Sequence, residues 1–227
     1  MRAYFAGLMG LLFAAQACAL SLNDLSQNQA GDGLKSMLEQ STRLAVEQLG
    51  QPGGFNKNPD VHIELPGNLG KAARAMKMLG QGKQVKALED SMNSAAEAAI
   101  PEAQALLLDA IKNMTISDAK SILNGPSNSA TTYLDRSSRE QLRSRFLPLV
   151  AQATQSSGLA QKYNNFAGQA ANYGVIDSKD ASIESYVTEQ ALDGLFTIIG
   201  QQEASIRQNP AQAATDIAKK VFGLMRQ

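Results

Sequence analysis

The chain has 227 residues, 44% of them apolar, with 21 basic and 21 acidic side chains and no net charge. It lacks the basic excess of a general nucleic-acid binder, and it is long enough to bury roughly 70% of its unfolded surface as one domain. One cysteine, one histidine and no tryptophan leave no material for a disulfide framework, a Cys/His zinc site or a Cys–His nucleophile pair.

Residues 1–19, MRAYFAGLMGLLFAAQACA, carry one positive charge, an apolar run from Ala3 to Ala15 and small residues at the end. The run is too short to span a bilayer and reads as a secretory signal peptide. Cleavage after Ala17-Cys18-Ala19 would release a soluble chain. Cleavage before Cys18, at Ala15-Gln16-Ala17-Cys18, would leave a lipid anchor on that cysteine. The soluble form is preferred, because the second site lacks the usual aliphatic residue three before the cysteine. Either way the protein is expected to leave the cytoplasm for the periplasm, soluble or tethered, with no transmembrane helix after processing.

Residues 20–227 read as a single all-helical domain. Leu34, Leu38, Val46 and Leu49 space an amphipathic helix that Gly50 ends. The stretch GQPGGFNKNPDVHIELPGN that follows is irregular. Alternation at Val61, Ile63 and Leu65 suggests an extended piece without a partner strand, laid over the bundle or, less favoured, pairing its edge with another protein. A helix from about Asn68 to Leu79 comes next. Lys71, Arg74, Lys77, Lys83 and Lys86 follow one another with no acid between Glu64 and Glu89. They are a candidate anionic-surface patch, though a charge run more often marks a solvated face.

Leu88 to Met114 is the candidate spine: 12 of the 17 residues from Ala95 to Ile111 are apolar, mostly Ala and Leu. A helix this apolar belongs inside a multi-helix bundle, with Pro101 expected to kink it or divide it in two. Thr115 and Asp118 form a capping pattern for a short helix stopped at Asn124-Gly125-Pro126. A helix is expected from Ser129. Ser138-Arg139-Glu140-Gln141 repeats the capping pattern and suggests a new helix, which Pro148 should kink and which would break Arg136, Arg139 and Arg143 into separate groups. Leu159, Tyr163, Phe166, Ala170 and Tyr173 make an aromatic stripe of core type. The longest helix is expected over about Ser182 to Gln208, with close packing at Gly194 and Gly200. Asn209-Pro210 then reads as the cap and first residue of a last helix through Phe222.

Several stretches, in the same order, resemble the bacterial envelope family known as domain of unknown function 4197. They are AVEQLGQPGGFNKNPDVHIELP from Ala45, MNSAAEAAIPEA from Met92, MTISDAKSILNG from Met114, ATTYL from Ala130, RFLPLV from Arg145, YVTEQALDGLF from Tyr186, IRQNP from Ile206 and KKVFG from Lys219. The resemblance covers nearly all of the mature chain and implies an all-helical secreted domain of unknown biochemistry. Gln202-Glu203 stands where the family pattern has a pair of glutamates, and Ala213 where an arginine is usual.

The polar residues within apolar helices are Asn93, Glu97, Asp193, Glu203 and Arg207, with Tyr133 and Tyr186 in the motif stretches. One reading is structural: Glu203 and Arg207 pair one turn apart, Asn93 and Glu97 satisfy helix ends or the kink, and the tyrosines bond them. The other gathers all seven into one ligand-binding pocket, with Glu97 and Asp193 as a carboxylate pair able to bind a cation or share a proton. His62, without other nitrogen or sulfur ligands, reads as a surface or packing residue. No nucleophile elbow, zinc-protease, Walker or dinucleotide motif is present, and neither a metal nor a cofactor is implied. The favoured function is non-enzymatic binding or scaffolding of an unidentified envelope protein or lipid component. The alternatives are a carrier enclosing a lipid or other apolar ligand, with Met76, Met78 and Met92 as lining, and a hydrolase or lyase using Glu97 and Asp193.

Overall fold

The computed structural model of the chain describes residues 27–67, 77–78, 80, 82–155, 161, 163 and 182–225. The leader with Cys18, most of the helix expected from Asn68, and most of the aromatic stripe lie outside these residues. So do Lys71, Arg74 and Met76.

Seven α-helices are defined among the described residues: α1 (Gln27–Leu49), α2 (Gly82–Ala99), α3 (Ala103–Lys112), α4 (Ile116–Leu123), α5 (Ser129–Thr154), α6 (Ile183–Gln208) and α7 (Asp216–Leu224). They form an all-α multi-helix fold with no strand among the described residues. α6 packs against α5, α1 and α2, while α1 also meets α3, α4 and α7. The core between them is filled by side chains with no exposure, among them Leu34, Met37, Met92, Leu107, Phe146 and Ile199.

Pro101 divides the Ala/Leu stretch, as its missing N–H favours. α2 ends at Ala99, a 3-10 turn spans Ile100–Glu102, and α3 begins at Ala103. Ala95, Ala96, Ala99, Ile100, Ala103, Leu107 and Ile111 are buried, whereas Ser94, Ala98 and Ala105 are exposed. The spine therefore buries one face and shows alanines on the other, where a methyl group in water costs little.

Thr115 caps α4 as the sequence indicates: its hydroxyl accepts from the Asp118 N–H at 3.1 Å, and its own N–H donates to Asp118 Oδ2 at 2.9 Å. The second capping pattern does not start a helix. α5 runs unbroken through it, and the buried Ser138 hydroxyl donates to the Leu134 carbonyl at 2.6 Å. A serine offers a helix either contact, and burial of Leu134, Leu142, Phe146 and Val150 along one continuous face decides between them. Arg136, Arg139 and Arg143 consequently share one helix, which also retains Pro148 in its interior. Asn209-Pro210 begins only a 3-10 turn, Pro210–Gln212, and α7 starts later under a Thr215 cap. Gly194 meets a true close approach, since a Cβ there would lie 2.6 Å from Phe55. Gly200 does not, its nearest neighbour being Thr131 at an ordinary 3.7 Å.

Candidate functional site: a strap, a buried cap and an ion-pair face

Past Gly50 the chain leaves α1 and lies across α2 and α6 as a strap, residues 50–67. Gly53, at φ 90°, makes the turn that lets the Lys57 N–H reach its carbonyl at 3.0 Å. Phe55 is then fully buried, and Val61, Ile63 and Leu65 point inward while Glu64 is exposed, as their alternation implies. An extended segment without a partner strand must satisfy its backbone some other way. Asn93 does this for Ile63: its Oδ1 accepts the N–H at 2.9 Å, and its Nδ2 donates to the carbonyl at 2.9 Å and to the Glu89 carbonyl at 2.8 Å. One turn along α2, Glu97 Oε1 accepts the N–H groups of Phe55 and Asn56, each at 3.0 Å. The Tyr186 hydroxyl donates to the Glu64 carbonyl at 3.0 Å, and Gln201 donates to Asp60 at 3.0 Å. Asn93, Glu97 and Tyr186 thus belong to one constellation, and its ligand is the chain's own backbone.

Glu203, with no exposure, serves a different segment. It accepts the Thr131 N–H at 2.9 Å, the Thr131 hydroxyl at 2.6 Å and, more weakly, the Ala130 N–H at 3.4 Å. A carboxylate from α6 therefore caps the N-terminus of α5, where helix N–H groups lack partners. Arg207 Nε donates to the same carboxylate at 3.0 Å, and its guanidinium lies 5.3 Å from the centre of the Phe222 ring, which ties α7 to this cap.

A third set crosses the outer face of α5 and α6. Arg139 reaches Asp135 at 2.5 Å, Glu189 at 3.1 Å and Asp193 at 2.8 Å, with its guanidinium 5.5 Å from the Phe196 ring centre. Arg143 joins Glu189 and Glu140. Burial works to raise the Glu189 carboxyl, but the bonds and charges of Arg143 and Arg139 outweigh it and hold the group below its ordinary range. Asp193 is more than half exposed here.

Tyr133 stands apart from these, its hydroxyl 3.5 Å from Asp118 Oδ2, in a groove between α4 and α5. Burial and the Asp118 charge both push its hydroxyl up. The Asp118 carboxyl is held low by the Thr115 hydroxyl and then by the Thr115 N–H.

The seven candidates therefore fall into four places. Asn93, Glu97 and Tyr186 meet at the strap, Glu203 and Arg207 at the cap, Asp193 on the ion-pair face and Tyr133 in the α4–α5 groove. Glu97 and Asp193 answer to different partners. No group of three or more His, Cys, Asp and Glu side chains among the described residues is placed to hold a metal ion. Of the basic patch, Lys77 pairs with Glu89 at 3.0 Å and Lys86 with Asp90 at 2.6 Å, while Lys83 is exposed. The intervening chain carries no acid, but α2 supplies two, Glu89 across space to Lys77 and Asp90 one turn along the same helix from Lys86. Met92 is fully buried and Met78 is 89% exposed, so the two do not line one cavity.

Sequence reasoning did not single out Glu189, the hub of both arginines, nor Thr131, the residue that Glu203 caps. Glu189 lies four residues before Asp193, at a spacing that faces the same side of a helix. That signal gains meaning only once α5 is known to be continuous.

The molecule defined by these contacts is an all-α bundle in which the buried Asn93, Glu97 and Glu203 bind the chain's own backbone. The family described as a protein of unknown function, DUF4197, matches residues 24–223, and the chain belongs to that family. No curated protein and no solved structure matches it.

Proposed function

We propose that this is a secreted envelope protein that acts by binding another envelope component rather than by catalysis. The observation that carries the reading is the engagement of Glu97. As the buried carboxylate of the Ala/Leu helix it is the best candidate for an acid or base, yet its Oε1 holds the N–H groups of Phe55 and Asn56. Its proposed partner Asp193 is engaged by Arg139. An acid–base pair must meet at one substrate, and these two carboxylates are turned to different partners, the strap and Arg139. The leader supports secretion, and no helix among the described residues is long and apolar enough to cross a membrane.

Two experiments test this. Fractionation of the host, with mass spectrometry of the mature protein, should find it outside the cytoplasm beginning at Leu20. A cytoplasmic chain with its leader intact would sink the envelope assignment, and a diacylglycerol on Cys18 would replace the soluble form with the anchored one. Deletion of the protein should lower the host's tolerance of detergent, and the Glu97→Gln, Asp193→Asn double variant should restore it as the wild type does. Glutamine still accepts the two N–H bonds but cannot exchange a proton. A folded double variant that fails where the wild type succeeds would favour catalysis.

A further inference from the structure

α5 carries two stripes. Leu134, Leu142, Phe146 and Val150 face the core. Ser129, Thr132, Tyr133 and Arg136 follow one another at steps of three, one and three residues, which places them on another common face. Opposite stand Asp118, Ser121 and Ile122 of α4, and Pro126 and Asn128 close one end, so that an open groove of about 680 Å³ runs between the two helices. A solvated helix face ordinarily shows charges of both signs. This one shows hydroxyls, a half-buried ring and a single charge, that of Arg136.

The groove's polar groups are unevenly engaged. Arg136 is exposed and has no hydrogen bond or ion pair among the described residues, whereas Arg139 and Arg143 on the same helix each pair with at least two carboxylates. Asp118 Oδ2 already accepts from the Thr115 N–H, the Thr115 hydroxyl and Tyr133. Asn128 sits at the cap position of α5 but makes no capping bond, because the Glu203 carboxylate takes the N–H groups of Ala130 and Thr131. That buried carboxylate also offsets the positive end of α5, so the groove is not simply an anion hole at a helix terminus. What it offers is one unpaired guanidinium, groups that both donate and accept, and an apolar wall of Tyr133, Ile122 and Pro126.

We propose that this groove binds a short saccharide segment carrying one carboxylate. Arg136 pairs with the carboxylate. Asn128, Ser121 and Ser129 exchange hydrogen bonds with ring hydroxyls, which like them are both donors and acceptors. The Tyr133 wall receives the C–H face of a sugar ring, and the volume lies within the ~300–1,000 Å³ typical of small-ligand sites. The inference rests on the envelope reading for its source of ligand, since outside the cytoplasm cell-wall glycan stripped of its stem peptides presents an amino sugar with a free carboxylate.

The test titrates the processed chain, purified after leader removal, with the N-acetylglucosamine–N-acetylmuramic acid disaccharide. Chitobiose, which lacks the carboxylate, and inorganic phosphate serve as comparators, and backbone amide NMR is the readout. The disaccharide should shift amides of residues 118–136 saturably and more tightly than chitobiose does. Arg136→Ala should weaken binding about tenfold, the effect of losing a charge-assisted pair. Ser121→Trp, at an exposed position, should fill the groove and abolish the shifts, both variants keeping the wild-type melting temperature. No saturation at millimolar disaccharide would overturn the proposal, as would equal affinity for chitobiose, the same shifts with phosphate alone, or indifference to both variants. Such failure leaves the envelope reading standing, because that reading falls on cellular location and this test runs on purified protein.

Discussion

At the strap, polar contacts run from side chain to backbone; across α5 and α6 they run from side chain to side chain. Asn93 and Glu97 are buried and each satisfies main-chain groups that have no helix or sheet to join. Arg139, Arg143, Glu189 and Asp193 are partly in water and satisfy one another. The Glu203 cap of α5 belongs with the strap in this respect. Removing a buried acceptor leaves orphaned N–H groups in a low dielectric, whereas removing one exposed ion-pair partner leaves a charge that water can solvate. The two regions should therefore respond to mutation on different scales, although in sequence each is merely a polar residue on a helix.

The largest effect is expected at Glu203. Glu203→Ala strips the α5 cap and leaves the mostly buried Arg207 without its carboxylate, a change of the class that costs about 3–5 kcal/mol. Glu203→Gln keeps an acceptor for Thr131 and should cost distinctly less. Urea unfolding of both variants checks this. Equal losses would mean that the charge on Arg207, and not the cap, dominates.

Next is the seat of the strap. A methyl group at residue 194 would lie 2.6 Å from Phe55 Cε1 and 3.2 Å from Val61, so Gly194→Ala must push the ring out of its pocket. Overpacking of this kind costs about 1–3 kcal/mol. The loss should shrink in a Phe55→Leu background, since the two positions share one contact and their effects cannot add. A Gly194→Ala loss of the same size in both backgrounds would show that the strap does not depend on this contact.

The class of fold was legible from the chain because helical periodicity is local: Leu34, Leu38 and Leu142, Phe146 announce their faces whatever they pack against. Thr115 was legible for the same reason, its partner Asp118 being three residues away. Legibility failed where a local pattern had two outcomes and tertiary packing chose, as at Ser138, whose hydroxyl serves Leu134 inside a helix instead of starting one. It failed again where the partner is distant. The polar positions Asn93 and Glu97 stand out in an apolar stretch, yet nothing nearby reveals that Ile63 and Phe55, 30 and 42 residues away, are what they hold. The seven candidate residues were visible as anomalies; their division among four places required the fold.

The smallest effect, and the sharpest test of the contrast, is expected at Glu189. Its carboxyl lies below the ordinary value of 4.5 because the Arg143 and Arg139 interactions outweigh the burial that opposes them. A group lowered in the folded state binds protons less readily there than when unfolded. Its contribution is therefore complete above pH 4.5 and is lost as the pH falls through the lower folded value. Glu189→Gln removes that contribution. Because both arginines keep other carboxylates and are themselves 24% and 36% exposed, the loss at neutral pH should stay near or below about 1 kcal/mol. It should also narrow on acidification, since the wild type then loses the same charge. Urea melts of the wild type and variant at neutral pH and at about pH 3 measure this. A neutral-pH loss as large as that of Glu203→Ala, or a gap that widens in acid, would place the α5–α6 face with the strap and erase the distinction between them.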